Sequence, residues 1–117
     1  MNNLDLYCVT NKKLEFLENT DLKLAAVGKE KFSNRYLRCD NKINIYDKEQ
    51  YYSELTFHYW YWKNRLINEK QDWIGFCQKR RFWIKPEKNK SIININNLND
   101  FLIDKIDYSL ENYESII

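Results

Sequence analysis

Lys79-Arg80-Arg81 is a run of three cations that directly follows a short apolar segment, Trp73 to Cys77. A guanidinium is a planar fork of donors that can grip two phosphate oxygens at once, and a lysine adds a point charge. Thr10-Asn11-Lys12 and Gly28-Lys29 stand in the same position after two other strand-like segments, Leu4–Thr10 and Leu22–Val27. In open α/β sheets, ligands bind outside the carboxyl ends of the strands. A parallel sheet would bring the three polar turns, with Gln78, to one edge, and that edge suits a phosphate or diphosphate. A solvated basic turn explains Lys79 to Arg81 equally well on pattern alone.

A second set of residues lies just upstream. Glu54, His58 and Trp62 are spaced by four, so a helix puts them on one face. A carboxylate beside an imidazole can act as a base with its orienting partner. A half-buried contact without chemistry gives the same spacing. Lys63, Asn64 and Arg65 close the segment, where cations complement a helix dipole. Trp60 and Trp62 read as core. The Glu54–Trp83 block holds all four tryptophans and the single histidine.

Several chemistries leave no trace. The chain has no GxGxxG or Walker loop, no paired-His or Cys/His metal spacing and no GxSxG elbow. Cys8, Cys39 and Cys77 are odd in number and far apart, so they form neither a disulfide framework nor a CxxC site and read as buried reduced thiols. The formal net charge of +2 is too small to imply a nucleic-acid protein. No apolar run is long enough to span a bilayer and Met1 opens no signal-peptide pattern, which predicts a cytoplasmic location.

The elements that must position these residues follow from periodicity. Leu4–Thr10, Leu22–Val27 and Trp73–Cys77 read as strands, and 11–19 as a short helix carrying Leu14 and Leu17. Residues 29–46 lack a period. Asp47-Lys48-Glu49-Gln50 has the form of a capping box and predicts a long helix to about Ile67. Tyr51, Leu55, Tyr59, Trp62 and Leu66 trace one face of it. Residues 84–91, with Pro86, read as a loop, Leu98–Ile106 as a helix, and Tyr113–Ile117 as a strand just beginning. This alternation predicts an α/β fold with a parallel sheet. One domain spans 1–117, read as the amino-terminal part of a longer one. An unfinished sheet predicts self-association.

ELTFHYWYWKN (Glu54–Asn64) followed by WIGFCQKRRFW (Trp73–Trp83) resembles the bacterial family known as domain of unknown function 4422. YCVTNKK at Tyr7–Lys13, Ala26 to Lys29 and Asp40 to Tyr46 resemble its flanking segments. The resemblance implies a GT-A-like, Rossmann-type domain with a mostly parallel sheet. It implies a glycosyltransferase of capsular or exopolysaccharide synthesis, with a nucleotide-sugar donor and a glycan or lipid-linked glycan acceptor. The substrate-binding residues would be Thr10, Asn11, Lys12, Glu54, Lys63, Asn64, Gln78, Lys79, Arg80 and Arg81. Asn11 and Gln78 stand where the family usually has histidine, so no imidazole titrates there. A divalent metal, manganese or magnesium, would find its ligands outside this chain, and peripheral contact with the inner membrane face follows from such an acceptor. An inert nucleotide- or carbohydrate-binding module is the alternative. An RNA-binding domain is disfavoured by the weak charge and by the expected burial of the tryptophans.

Overall fold

The computed structural model describes residues 3–85, 92–110 and 112–116. Four strands form one sheet: β1 (Leu4–Thr10), β2 (Lys23–Ala26), β3 (Tyr36–Arg38) and β4 (Trp73–Gln78), in the order β3-β2-β1-β4. All three pairings are parallel. Tyr7 lies opposite Lys23 on one side and Phe76 on the other. The α/β class read from the sequence is the one observed, and the arrangement is that of a partial Rossmann-like domain.

A parallel sheet is covered on both faces, so its strands are apolar at nearly every position. The burial follows strand parity. Leu6, Cys8, Leu24, Ala26, Tyr36 and Cys77 point to one face, where Leu17 of α1 (Glu15–Glu18) and Leu98 of α4 (Leu98–Phe101) cover them. Tyr7, Val9, Ala25 and Val27 point to the other. There α3 (Leu55–Asn64) lays Phe57, Trp60 and Tyr61 across the sheet. Tyr7 sits 5.4 Å from Phe57 and 5.3 Å from Tyr61, ring centre to ring centre, the second edge-on. Contacts of this kind add about 0.5–1.5 kcal/mol each beyond the area they bury.

The long helix expected from Asp47 to Ile67 is broken. A 3₁₀ turn (Tyr46–Lys48), α2 (Glu49–Tyr52), α3 and a second 3₁₀ turn (Leu66–Asn68) take its place. The break is at Ser53, whose φ of 48° and ψ of −124° no helix allows. Asp47 makes no capping bond at this start. The stripe traced by Tyr51, Leu55, Tyr59, Trp62 and Leu66 faces outward. Trp62 is 58% exposed, not core. The inward face is Thr56, Phe57, Trp60 and Tyr61. A helix apolar on both sides gives periodicity no way to choose between them.

Other boundaries also moved. Residues 29–46 contain β3, which pairs with β2 although only three residues long. The helix expected over 11–19 shrinks to the four residues of α1, and that over Leu98–Ile106 stops at Phe101. Leu102 then bridges Ile84 and Lys105 bridges Asn3 in extended backbone. Leu98, Leu102 and Ile106 are buried all the same. Residues 113–116 are not in a strand. Ile117, and the Pro86 loop beyond Lys85, lie outside the described residues.

Candidate functional site

The chain lays down β1, β2 and β3 in one direction and then returns past β1 to place β4 on its other side. The strand order therefore reverses between β1 and β4. A crevice opens at such a point, outside the carboxyl ends of the two strands, because the flanking connections leave in opposite directions. The residues at these two ends are Thr10-Asn11-Lys12 and Gln78-Lys79-Arg80-Arg81.

Each turn is built locally. Thr10 Oγ1 donates to the Lys12 carbonyl at 2.7 Å and accepts from the Lys12 amide at 3.0 Å. This side-chain turn bends the chain out of β1 and presents Asn11 and Lys12 to solvent. After β4, the Gln78 and Arg81 backbones pair antiparallel, with the Gln78 amide on the Arg81 carbonyl at 3.0 Å. That tight return projects Lys79 and Arg80 from its tip.

The two turns are tied together across the reversal. Lys79 Nζ donates to Asn11 Oδ1 at 2.8 Å. Gln78 Nε2 donates to Glu54 Oε1 at 2.8 Å, which fixes the amino end of α3 against β4. Thr10, Asn11, Lys12, Glu54, Gln78, Lys79, Arg80 and Arg81 thus share one edge. Among the described residues, the Arg80 and Arg81 guanidiniums have no partner, and both side chains are exposed. Lys63 and Asn64 lie elsewhere. They close the carboxyl end of the ten-residue α3, about 15 Å along its axis from Glu54. Asn64 is engaged in structure there: its amide donates to the Ile43 carbonyl at 2.7 Å and the Trp60 carbonyl at 2.9 Å. Lys63 Nζ sits 3.9 Å from the Trp62 ring centre.

The histidine is not a partner of Glu54 in the sense its spacing suggested. Glu54 is engaged by Gln78, and His58 stacks on Phe76 with ring centres 4.2 Å apart. Burial lowers the His58 pKa, against the opposing charge of Glu54. The imidazole is therefore held neutral over an aromatic ring, on the sheet side of the helix.

Gly28 completes the edge after β2. Its φ of 86° is in the region that favours glycine, and it turns the chain without a side chain. A Cβ there would sit 3.4 Å from the Glu49 carboxyl carbon and 3.5 Å from Asn11 Cβ. The Tyr46 hydroxyl donates to the Gly28 carbonyl. Glu49 was missed because its segment reads as the start of a long helix, and Tyr46 because it closes the stretch 29–46 that lacks a period. The only hint was Gly28 at a strand end.

The resemblance implies a divalent cation on the diphosphate. Among the described residues, no group of three or more His, Cys, Asp or Glu side chains could hold one. The donors at this edge, among the described residues, do not fit a metal site. Among the described residues, no helix is long and apolar enough to cross a membrane.

Neither curated proteins nor solved structures gave a significant match to the chain. The sequence pattern of one family does match, over residues 5–117, and so covers the four strands except Leu4, with both strand-end turns. The chain belongs to the family described as domain of unknown function DUF4422.

Proposed function

We propose that this chain is the donor-binding part of a glycosyltransferase. It would hold a nucleotide sugar while the sugar passes to a cell-surface polysaccharide, supplied as a glycan or lipid-linked glycan. One observation carries the reading. Lys12, Lys79, Arg80 and Arg81 gather at the β1/β4 reversal with no carboxylate in the two turns themselves.

The chemistry follows from where charge develops. As the bond between the sugar and the diphosphate breaks, negative charge grows on the leaving phosphate oxygens. Cations held at that position by the strand-end turns stabilise the developing charge. Arg80 and Arg81 are the groups assigned to this contact, with Lys12 flanking it. Lys79 and Gln78 brace the two turns through Asn11 and Glu54. Asn11 and Gln78 do not titrate near neutral pH, so neither is the base for the acceptor hydroxyl. That same absence favours a second reading, a module that binds the nucleotide sugar without turning it over.

Calorimetric titration with diphosphate sugars of uridine, guanosine, thymidine and cytidine tests the binding. Product formation with a glycan acceptor separates the enzyme from the module. Donor binding unchanged in Arg80→Ala/Arg81→Ala would remove the site from this edge.

A further inference from the structure

The outer face of α3 calls for an explanation that the strand-end site does not supply. The helix buries Thr56, Phe57, Trp60 and Tyr61 against the sheet. On the opposite side stand Leu55, half-buried Tyr59 and Trp62, and the following turn adds Leu66 and Ile67. Ile67 is 90% exposed, and Tyr51 of α2, at 75%, extends the patch toward the Ser53 break. Several large apolar side chains exposed on one side of a helix and the turn after it mark a place where something docks.

The charges around it say what. From Leu55 to Asn68 the charges are Lys63 and Arg65, and the acids at either border are turned to the sheet side, Glu54 accepting from Gln78 and Glu69 from the Tyr61 hydroxyl. Lys63 Nζ rides on the outward Trp62 ring, 3.9 Å from its centre, and the Arg65 guanidinium carbon lies 5.9 Å from the centre of the inward Trp60, at the border between the two faces. Their stems lie on apolar surface while their charges remain available at its rim. Tryptophan and tyrosine at the level of the headgroups, aliphatic side chains beside them and lysine or arginine at the border are what an interfacial helix needs. A second copy of the chain fits poorly. A two-fold interface sets a patch against itself, and this patch would bring its cations together with no acid of its own to meet them.

We propose that the outer face of α3 and the turn after it, centred on Leu55, Trp62, Leu66 and Ile67 and edged by Lys63 and Arg65, docks on an anionic lipid bilayer. The β1/β4 edge lies at the amino end of this helix, marked by Glu54 on Gln78. Docking through the outer face therefore leaves that edge uncovered. The inference does not depend on what the edge binds.

Co-sedimentation of the full chain with vesicles of phosphatidylglycerol and phosphatidylcholine, and with phosphatidylcholine alone, tests it. The chain is expected to partition onto the anionic vesicles. Lys63→Gln/Arg65→Gln should lower the partition coefficient by about thirtyfold. Trp62→Ser/Ile67→Ser should lower it by about tenfold or more. Because these side chains are exposed, the variants should melt with the parent chain. A readout that spares the helix is quenching of tryptophan emission by lipids brominated on their acyl chains, which Trp62→Phe should largely abolish. Equal partition onto neutral and anionic vesicles, no partition at all, or quenching that survives Trp62→Phe would overturn the proposal. So would a dimer that Trp62→Ser/Ile67→Ser disperses, since the face would then belong to a second copy.

Discussion

Of the two glycines, Gly75 is the one with less room for a side chain. It lies in β4, opposite Leu6 of β1. A Cβ built on it would stand 2.8 Å from Leu6 Cδ1 and 3.4 Å from Leu4 Cδ1. The first distance is well inside van der Waals contact, so Gly75→Ala forces Leu6 to move. The atom met is the tip of a flexible side chain, so the backbone need not shift. Leu6 is packed among the buried residues of the α1/α4 face, however, and leaving its rotamer costs there. Overpacking of this kind destabilises by about 1–3 kcal/mol. For a domain of 117 residues, that corresponds to a fall of about 4–12 °C in Tm. Urea and thermal melts followed by circular dichroism would measure it. The cause is tested by a double-mutant cycle with Leu6→Ala. Once Leu6 is truncated, adding Gly75→Ala should cost little or even fill the space, giving a coupling of about 1 kcal/mol or more. A neutral Gly75→Ala, or costs that add without coupling, would refute the argument.

His58 is the chain's one histidine, so its magnetic-resonance titration is unambiguous. Burial against Phe76 lowers its folded pKa, so the unfolded chain takes up the proton more readily. The stability from this group is complete above the unfolded value of about 6.5. It is lost as pH falls from there through the folded pKa, and a folded pKa at or above that of a free imidazole would contradict the burial. Ser53 holds a φ of 48°. Ser53→Gly should therefore stabilise the chain by about 1 kcal/mol once the entropy of glycine is deducted, and a lower denaturation midpoint would count against the strain. Burial, then the charge of Asp40, pushes the Cys39 thiol up to about 12. A hydrogen bond with Cys77, then burial, raises that of Cys8. Neither should react with a thiol reagent at mildly alkaline pH until the chain unfolds, and labelling of either in the native protein would show that its surroundings open.

The sheet was legible in the sequence because strands buried on both faces are apolar at nearly every position. Leu4–Thr10 and Trp73–Cys77 stand out on that ground alone. The three-residue β3 did not, since Tyr36–Arg38 is too short to show alternation and is held by its pairing with β2. The region from Asp47 to Ile67 was misread for two reasons. Ser53 breaks it by a backbone conformation that residue type does not announce. The outward aromatic stripe is also as apolar as the inward one. Both strand-end turns could be seen as basic punctuation after apolar runs. A parallel sheet puts them at one edge, but their adjacency could not be read, because only the order β3-β2-β1-β4 sets β4 beside β1. Lys63 and Asn64 were carried into the site by the resemblance and lie at the far end of α3, where Asn64 secures Ile43.

The central claim is that the β1/β4 edge holds the diphosphate of a nucleotide sugar. Its most direct test is calorimetric titration of the chain with the nucleotide-sugar panel, alongside Arg80→Ala/Arg81→Ala. The account predicts binding to one nucleotide class. It also predicts a loss of about a hundredfold or more in the double variant, as two charge-assisted contacts to phosphate disappear. Binding that keeps its strength without both arginines, or a folded chain that binds no donor, would contradict it.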